Sequence, residues 1–132
     1  MNKKEINKLI KTAIATSRKA YAPYSKFHVG AALQTAEGDL FTGCNVENAS
    51  YGLTICAERS AIFSAIAAGR KKFKAIAIVA DGDAKPFPCG ACRQVLAEFC
   101  GPDFPVIIAT VKKPATYEIV HLGALLPKTF SF

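Results

Sequence analysis

The sequence has 132 residues, a hydrophobic content of 51% and a formal net charge of +7. This length suits one domain with one buried core, and we expect a single domain spanning residues 1–132. The longest apolar run, residues 75–80, is too short to span a bilayer, and the N-terminal residues lack the apolar segment of a signal peptide. We therefore expect a cytoplasmic protein without a membrane partner.

The positive charge is spread along the sequence. Lysines and arginines occur in the N-terminal segment, at residues 70–74 and at residues 112–113. No arginine-rich helix, zinc-finger spacing or aromatic stacking motif accompanies them. This scatter is typical of a solvated surface, so a nucleic-acid partner is not expected. The five cysteines are too few and too unevenly placed for a disulfide framework, which favours reduced thiols.

The first half of the chain predicts a helix followed by a hairpin. Apolar residues at positions 6, 9, 10, 13 and 14 repeat at helical spacing, and the segment 21–23, which contains a proline, ends this helix. Residues 27–35 and 40–46 predict two strands, which the turn residues 37–39 join.

The second half alternates helices and strands. A helix is predicted over residues 56–68 with Gly69 as its stop, and the continuous apolar run at 73–80 is typical of a strand in a parallel sheet. A third helix over 89–100, strands at 104–111 and 117–121, and a short turn at 122–126 follow. This order predicts an α/β fold, a three-layer α/β/α sandwich around a mixed, roughly five-stranded sheet.

Both central helices begin with a cysteine. Cys89 and Cys92 lie three positions apart at a helix start, where free backbone N–H groups and the helix dipole favour the thiolate. Cys56 begins the preceding helix, and the helix and strand after it are long enough to return the chain to the same sheet edge. The three cysteines are therefore predicted to bind one Zn²⁺ per subunit.

The number of ligands distinguishes two kinds of zinc site. Structural zinc is normally held by four protein ligands, whereas catalytic zinc keeps three and leaves one position for water. Cys44 and Cys100 fit buried, inert thiols, and His28 and His121 fit structural or surface histidines. The sequence thus predicts three ligands and an open position.

Glu58 distinguishes this site from other sites with paired cysteines, which include redox centres and structural zinc sites. It follows Cys56 by two positions, so its carboxylate can face the open side of the metal as a proton shuttle. Without the cysteines, it would be an ordinary acid in a first helical turn. Three thiolates outweigh the charge of one Zn²⁺, so Arg59 and, more weakly, Gln94 are predicted to donate hydrogen bonds that withdraw charge from the site.

Five segments, in order along almost the whole chain, resemble the cytidine deaminase family in its short, three-cysteine form. They are KFHVGAA (26–32), GCNVENASY (43–51), CAER (56–59), PCGACRQ (88–94) and LLPKTF (125–130). His28 departs from the proline often found at that position, and Ser131-Phe132 extends past the usual aromatic residue. Neither departure affects a predicted metal ligand.

The resemblance implies zinc-dependent hydrolysis of cytidine and deoxycytidine to uridine and deoxyuridine plus ammonia, in pyrimidine salvage, with Glu58 as the catalytic acid and base. Asn45 and Glu47, predicted to share one face of a strand, would hydrogen-bond the ribose 3′-hydroxyl. Phe27, a core residue by pattern alone, would pack against the pyrimidine, and Ala57 would offer backbone groups to the base.

The resemblance also implies a homotetramer with shared active sites. Phe130 matches an aromatic residue that enters a neighbouring subunit's site, and Ala49 and Tyr51 match positions that touch substrate across subunit interfaces. Two alternatives stay open. One is a deaminase of another cytosine compound, such as a nucleoside antibiotic or RNA, and the other is a non-catalytic zinc-binding interaction module.

Overall fold

The computed structural model describes residues 1–132 and contains four helices and five strands. The helices are α1 (Lys3–Ser17), α2 (Ala57–Ala67), α3 (Gly90–Phe99) and α4 (Leu122–Leu125), and a short 3₁₀ helix spans Tyr51–Leu53. The strands are β1 (Val29–Thr35), β2 (Leu40–Cys44), β3 (Phe73–Ala80), β4 (Pro105–Thr110) and β5 (Glu118–His121). None of the helices combines the length and the apolar character that a membrane span requires.

The five strands form one mixed sheet in the order β2-β1-β3-β4-β5. Strand β1 is antiparallel to both β2 and β3, β3 runs parallel to β4, and β5 is antiparallel to β4. Helix α3 connects the parallel neighbours β3 and β4, as the sequence predicts for a β-α-β unit. The predicted mixed five-stranded sheet is confirmed.

Helices cover both faces of the sheet. On one face, Leu9 and Ala13 of α1 pack in a cluster with Ala77 and Ile107. On the other face, residues of α2 and α3 pack against the alternate residues of β3 and β4; this second cluster includes Ile62, Ile76, Ile78, Leu96 and Val106. Because β3 is buried on both faces, its sequence is apolar without alternation. The α/β/α sandwich is therefore confirmed.

Two glycines end elements where the sequence predicts it. Gly69 has φ +84° directly after the last turn of α2, and Gly38 has φ +103° in the turn between β1 and β2. A residue with a β-carbon is strained in this region of backbone conformation, whereas glycine is not.

Both strands of the hairpin are shorter than predicted at the end nearest the candidate site. β1 begins at Val29 because the backbone N–H of His28 donates to the Asp81 side chain, at 3.0 Å, instead of to a neighbouring strand. β2 ends at Cys44, and only Val46 beyond it makes single bridges to Tyr21 and Ile55. The prediction that Asn45 and Glu47 lie on one face of a strand is therefore wrong, since both follow the strand's end.

Helix α2 lies directly on the backbone of β2. A β-carbon at Gly43 would be 2.4 Å from the carbonyl oxygen of Ala57 and 2.4 Å from the backbone nitrogen of Ala61. Both distances are far below van der Waals contact. The absence of a side chain at Gly43 thus allows the first turn of α2, which follows Cys56, to approach the sheet.

Candidate functional site

Two helix N-termini meet at one edge of the sheet, and each is preceded by a cysteine. Cys56 and Cys89 are the N-cap residues of α2 and α3, and neither side chain caps its own helix. The Sγ atoms of Cys56 and Cys89 are 3.8 Å apart, and those of Cys89 and Cys92 are 3.5 Å apart. All three sulfurs lie within 4.8 Å of one another. We call Cys56, Cys89 and Cys92 the thiol cluster.

The thiol cluster has the chemistry that zinc requires. Three soft sulfur donors converge, which suits Zn²⁺ among the common divalent metals. No fourth histidine, cysteine or acidic residue joins the group. Cys100 lies outside it, and burial raises the pKa of its thiol to about 12, as expected of an inert thiol. His28 lies outside it too, and its Nδ1 is 2.7 Å from Oδ2 of Asp81.

Arg59 lies beside the thiol cluster, where its Nη2 donates to the Sγ of Cys56 at 3.4 Å. The Cys92 thiol is the largest influence that lowers the pKa of Cys56, to about 5; burial opposes this shift and Arg59 adds to it. The hydrogen bond with Cys56 in turn raises the pKa of Cys92, and burial does so as well. Cys56 is therefore the first of the pair to become a thiolate, and a fixed cation stabilises it.

Glu58 lies in the first turn of α2 and is only 5% exposed. Burial is the main cause that raises the pKa of its carboxyl to about 7, and the negative charge of Cys56 contributes. A carboxyl group that exchanges protons near neutral pH is suited to general acid and base catalysis.

One cavity of about 240 Å³ contains several of the predicted site residues together. Its lining includes Phe27, Asn45, Ala57 and Glu58 along with Cys56 and Cys89. Phe27 is 40% exposed and faces this cavity, so its pattern-based placement in the core is wrong. A largely apolar cavity whose lining also includes a carboxyl group and thiols suits a flat, polar ring.

Asn45 lines this cavity and is 8% exposed. Its Oδ1 accepts from the backbone N–H of Val29 at 2.9 Å, and its Nδ2 donates to the carbonyl oxygen of Phe27 at 2.8 Å. The amide therefore fixes the backbone that carries Phe27. One hydrogen of the Nδ2 group has no protein partner among these bonds.

Glu47 lies in a second, adjacent cavity of about 360 Å³. Its carboxylate accepts from the backbone N–H groups of Tyr24 and Ser25, at 2.9 and 3.1 Å, and from the Ser25 hydroxyl. The hydroxyl bond is the largest cause that holds the pKa of Glu47 below its usual range. Asn45 and Glu47 thus line neighbouring cavities rather than the same one.

Of the remaining predicted residues, Tyr51 lines the Glu47 cavity, whereas Ala49, Gln94 and Phe130 line neither cavity. Tyr51 is 76% exposed and meets Tyr24 edge to face with ring centroids 6.0 Å apart, and Ala49 is exposed two residues before it. Phe130 is 68% exposed and lines neither cavity. Gln94 donates to the Phe130 carbonyl at 3.4 Å and makes no hydrogen bond to a cysteine.

Sequence reasoning missed five residues that line the first cavity: Val29, Thr54, Ile78, Pro86 and Phe87. Phe87 lies between two prolines just before Cys89, and this proline-flanked position gives a recognisable signal because prolines exclude a strand or helix there. Nothing in the sequence around Thr54 distinguishes it from an ordinary loop threonine.

The fold and the thiol cluster define a zinc-binding α/β domain in which a buried acid adjoins the metal ligands. The family model for the cytidine and deoxycytidylate deaminase zinc-binding region matches residues 3–108. The chain belongs to this family.

Curated relatives and solved structures agree with this match. The chain is 46% identical to a cytidine deaminase of Sporosarcina psychrophila, over 96% of this chain and 92% of that protein. It is 48% identical to a cytidine deaminase of Halalkalibacterium halodurans, over 93% of this chain and 92% of that protein. A crystal structure of cytidine deaminase from Burkholderia pseudomallei superposes with a TM-score of 0.89 at 48% identity, and covers 98% of this chain and 100% of that one.

Proposed function

We propose that this chain is a single catalytic domain, residues 1–132, that hydrolyses cytidine and deoxycytidine to uridine and deoxyuridine plus ammonia in pyrimidine salvage. The observation that carries this proposal is the presence of Glu58, Cys56 and Cys89 in the lining of one cavity. The three-thiol group without a fourth ligand supports it, as do the relatives named cytidine deaminase.

Cys56, Cys89 and Cys92 would hold the zinc. When bound, the zinc supplies Lewis acidity that activates a water for attack on C4 of the cytosine ring. Glu58 accepts a proton from this water and passes it to the ring nitrogen N3. It then carries a second proton to the amino group, which leaves as ammonia. Burial raises the pKa of this carboxyl to about 7, so the group can both accept and donate a proton near neutral pH.

The remaining residues position the substrate. Phe27 would pack against the pyrimidine, and the backbone of Ala57, the residue before Glu58, would contact the base in the same cavity. Asn45 and Glu47 would hydrogen-bond the sugar from the two adjoining cavities. Arg59 would offset the excess negative charge of three thiolates, with its guanidinium already 3.4 Å from Cys56 Sγ. For Gln94, the same role stays a prediction.

A homotetramer with shared active sites would explain the exposed aromatic residues. Tyr51 and Phe130 are too exposed to stabilise an isolated subunit, and Phe130 lies outside both cavities of its own chain. Large exposed apolar side chains of this kind usually lie at interfaces. Light scattering coupled to size-exclusion chromatography should give four times the mass of 14.1 kDa, and a monomer would contradict the proposal.

We place the enzyme in the cytoplasm. All five cysteines are free, and thiols that must bind metal persist in a reducing compartment. Free nucleosides, rather than a polymer, would be the substrate class, since the cavity that holds Glu58 is about 240 Å³.

Metal analysis coupled to an ultraviolet assay tests the proposed function. We expect one zinc per chain, turnover of cytidine and deoxycytidine, and loss of turnover on chelation with recovery when zinc is returned. The same protein would be offered cytosine-containing RNA and DNA oligonucleotides. Preference for an oligonucleotide would indicate a polymer deaminase, and a zinc-loaded protein inert toward every free cytosine nucleoside would indicate a non-catalytic module.

A further inference from the structure

Thr54 is the only residue that lines both cavities of the site. One cavity contains Glu58 and the ligands Cys56 and Cys89, and the other contains Glu47. A nucleoside has two parts, a base and a sugar, joined by one bond. If the base occupies the first cavity and the far side of the sugar reaches Glu47, the junction between base and sugar passes Thr54.

The position of Thr54 is fixed from several sides. Its backbone N–H donates to the carbonyl oxygen of Tyr51 at 3.2 Å, and its Oγ1 accepts from the backbone N–H of Asn48 at 3.2 Å. The next residue, Ile55, exchanges two backbone hydrogen bonds of 3.0 Å with Val46. Thr54 is therefore held as part of a small bridged turn rather than on a free loop.

The hydroxyl of Thr54 has unused hydrogen-bonding capacity. A threonine hydroxyl has one donor hydrogen and two acceptor lone pairs. The N–H of Asn48 uses one lone pair, and the hydroxyl donates to no protein group. One donor and one acceptor are thus free on the residue that lines both cavities.

From this placement we infer that Thr54 is a specificity-determining residue that recognises the 2′-hydroxyl of the sugar. This inference rests on the proposed function. Of the sugar hydroxyls on the ring, the 2′ group lies closest to the bond between base and sugar, so it is the one that passes Thr54. Deoxycytidine lacks this group. Thr54 therefore favours cytidine over deoxycytidine, while Glu47 binds the part of the sugar that both substrates share.

The test compares the ratio of kcat/KM for cytidine to kcat/KM for deoxycytidine in the wild type, Thr54→Val and Thr54→Ser. Valine keeps the shape of the side chain and loses the hydroxyl, and serine keeps the hydroxyl. One net hydrogen bond corresponds to roughly 2- to 10-fold in affinity. We expect the ratio to fall by about that factor in Thr54→Val and to stay within about twofold of the wild type in Thr54→Ser.

The ratio is independent of the fraction of folded or zinc-loaded enzyme, because both substrates are measured on the same preparation. If Thr54→Val leaves the ratio unchanged, including the case in which kcat/KM falls equally for both substrates, the assignment is overturned and the proposed function stays intact. Thr54→Ala serves as a second variant without the hydroxyl should the valine enzyme not fold. A zinc-loaded wild type that turns over neither nucleoside would overturn both the function and the assignment.

Discussion

The thiol cluster and the segment 45–54 adjoin each other but are held in different ways. The thiol cluster is built on the N-termini of two helices that pack on the sheet, and Glu58 beside it is buried. The segment 45–54 contains only single bridges and a short 3₁₀ helix, and its aromatic Tyr51 is exposed. The residues proposed for the chemistry thus lie on helices that pack on the sheet, whereas the residues proposed for substrate recognition lie on a loop. We therefore expect substitutions at the thiol cluster and Glu58 to lower kcat, and substitutions among the proposed recognition residues to raise KM.

Replacement of a ligand should have the largest effect. Cys89→Ser removes one of the three sulfur donors from an exposed position, so we expect the chain to fold, to lose its zinc and to show no turnover above background. Zinc content by mass spectrometry and the ultraviolet assay measure both quantities. Cys100→Ser is the matched control, since Cys100 lies outside the cluster, and should keep one zinc per chain. A fully zinc-loaded Cys89→Ser enzyme would show that the cluster is not the metal site.

Glu58→Gln should come next, because it removes the proposed proton shuttle and leaves the three cysteines in place. The loss of a general acid and base lowers kcat by about 10²- to 10⁴-fold. Zinc content and circular dichroism should match those of the wild type. Glu98→Gln, an exposed acid on α3, is the control and should retain full activity. An active Glu58→Gln enzyme would remove Glu58 from the mechanism.

Phe130→Ala tests an exposed residue proposed for substrate recognition, and it should weaken substrate binding. An aromatic anchor at an interface is commonly worth more than about 1 kcal/mol, so we expect KM to rise roughly tenfold with zinc content unchanged. Coexpression of Phe130→Ala with Glu58→Gln subunits provides the sharper measurement. If Phe130 completes a neighbouring subunit's site, mixed oligomers should regain activity toward the nucleoside. Mixed oligomers without any gain would place Phe130 outside the site.

The smallest effect is expected outside both regions, at the His28–Asp81 pair, which links the residue before β1 to the residue after β3. Partial burial raises the pKa of Asp81, but the hydrogen bonds from His28 outweigh it and hold that pKa below its ordinary value. A carboxylate with a lowered pKa in the folded state contributes stability above its unfolded pKa of about 4, and this contribution disappears as the pH falls further.

Urea denaturation at several pH values measures this contribution. Asp81→Asn should reduce the free energy of unfolding by up to about 1 kcal/mol at pH 6, because the pair is substantially exposed, and the difference should shrink at pH 3. Asp83→Asn, which affects only an exposed pair with Lys112, is the control. A difference that grows toward low pH would contradict the assigned sign.

The bounds of an element could be predicted closely where one local sequence pattern defines that element. The strand at Phe73–Ala80 matches its predicted bounds because burial on both faces leaves a continuous apolar run. The thiol cluster could be predicted because ligand spacing and helix starts are local features of the sequence. The ends of β1 and β2 could not, because the His28 N–H donates to the Asp81 side chain and Tyr21 exchanges backbone hydrogen bonds with Asn45 and Glu47. These partners lie far apart in sequence.

The contacts of the segment 45–54 were harder to predict, because they too involve residues that lie far apart in sequence. The carboxylate of Glu47 is held by Tyr24 and Ser25, more than twenty positions earlier, and no local pattern indicates that contact. Thr54 becomes noticeable only because two cavities meet at it. Phe130 lines neither cavity of its own chain, so the role proposed for it depends on a second subunit.

The lack of a side chain at Gly43 limits which positions of this enzyme can be varied in evolution or by engineering. The residue lies thirteen positions before Cys56 and never contacts the sulfurs, yet any side chain there would collide with the backbone of α2. The helix would have to rise from the sheet, and it would carry Cys56, Glu58 and Arg59 away from Cys89. Libraries that aim to change the substrate range can therefore vary the segment 45–54 widely, but they should leave Gly43 untouched, because the alignment of metal and acid depends on it.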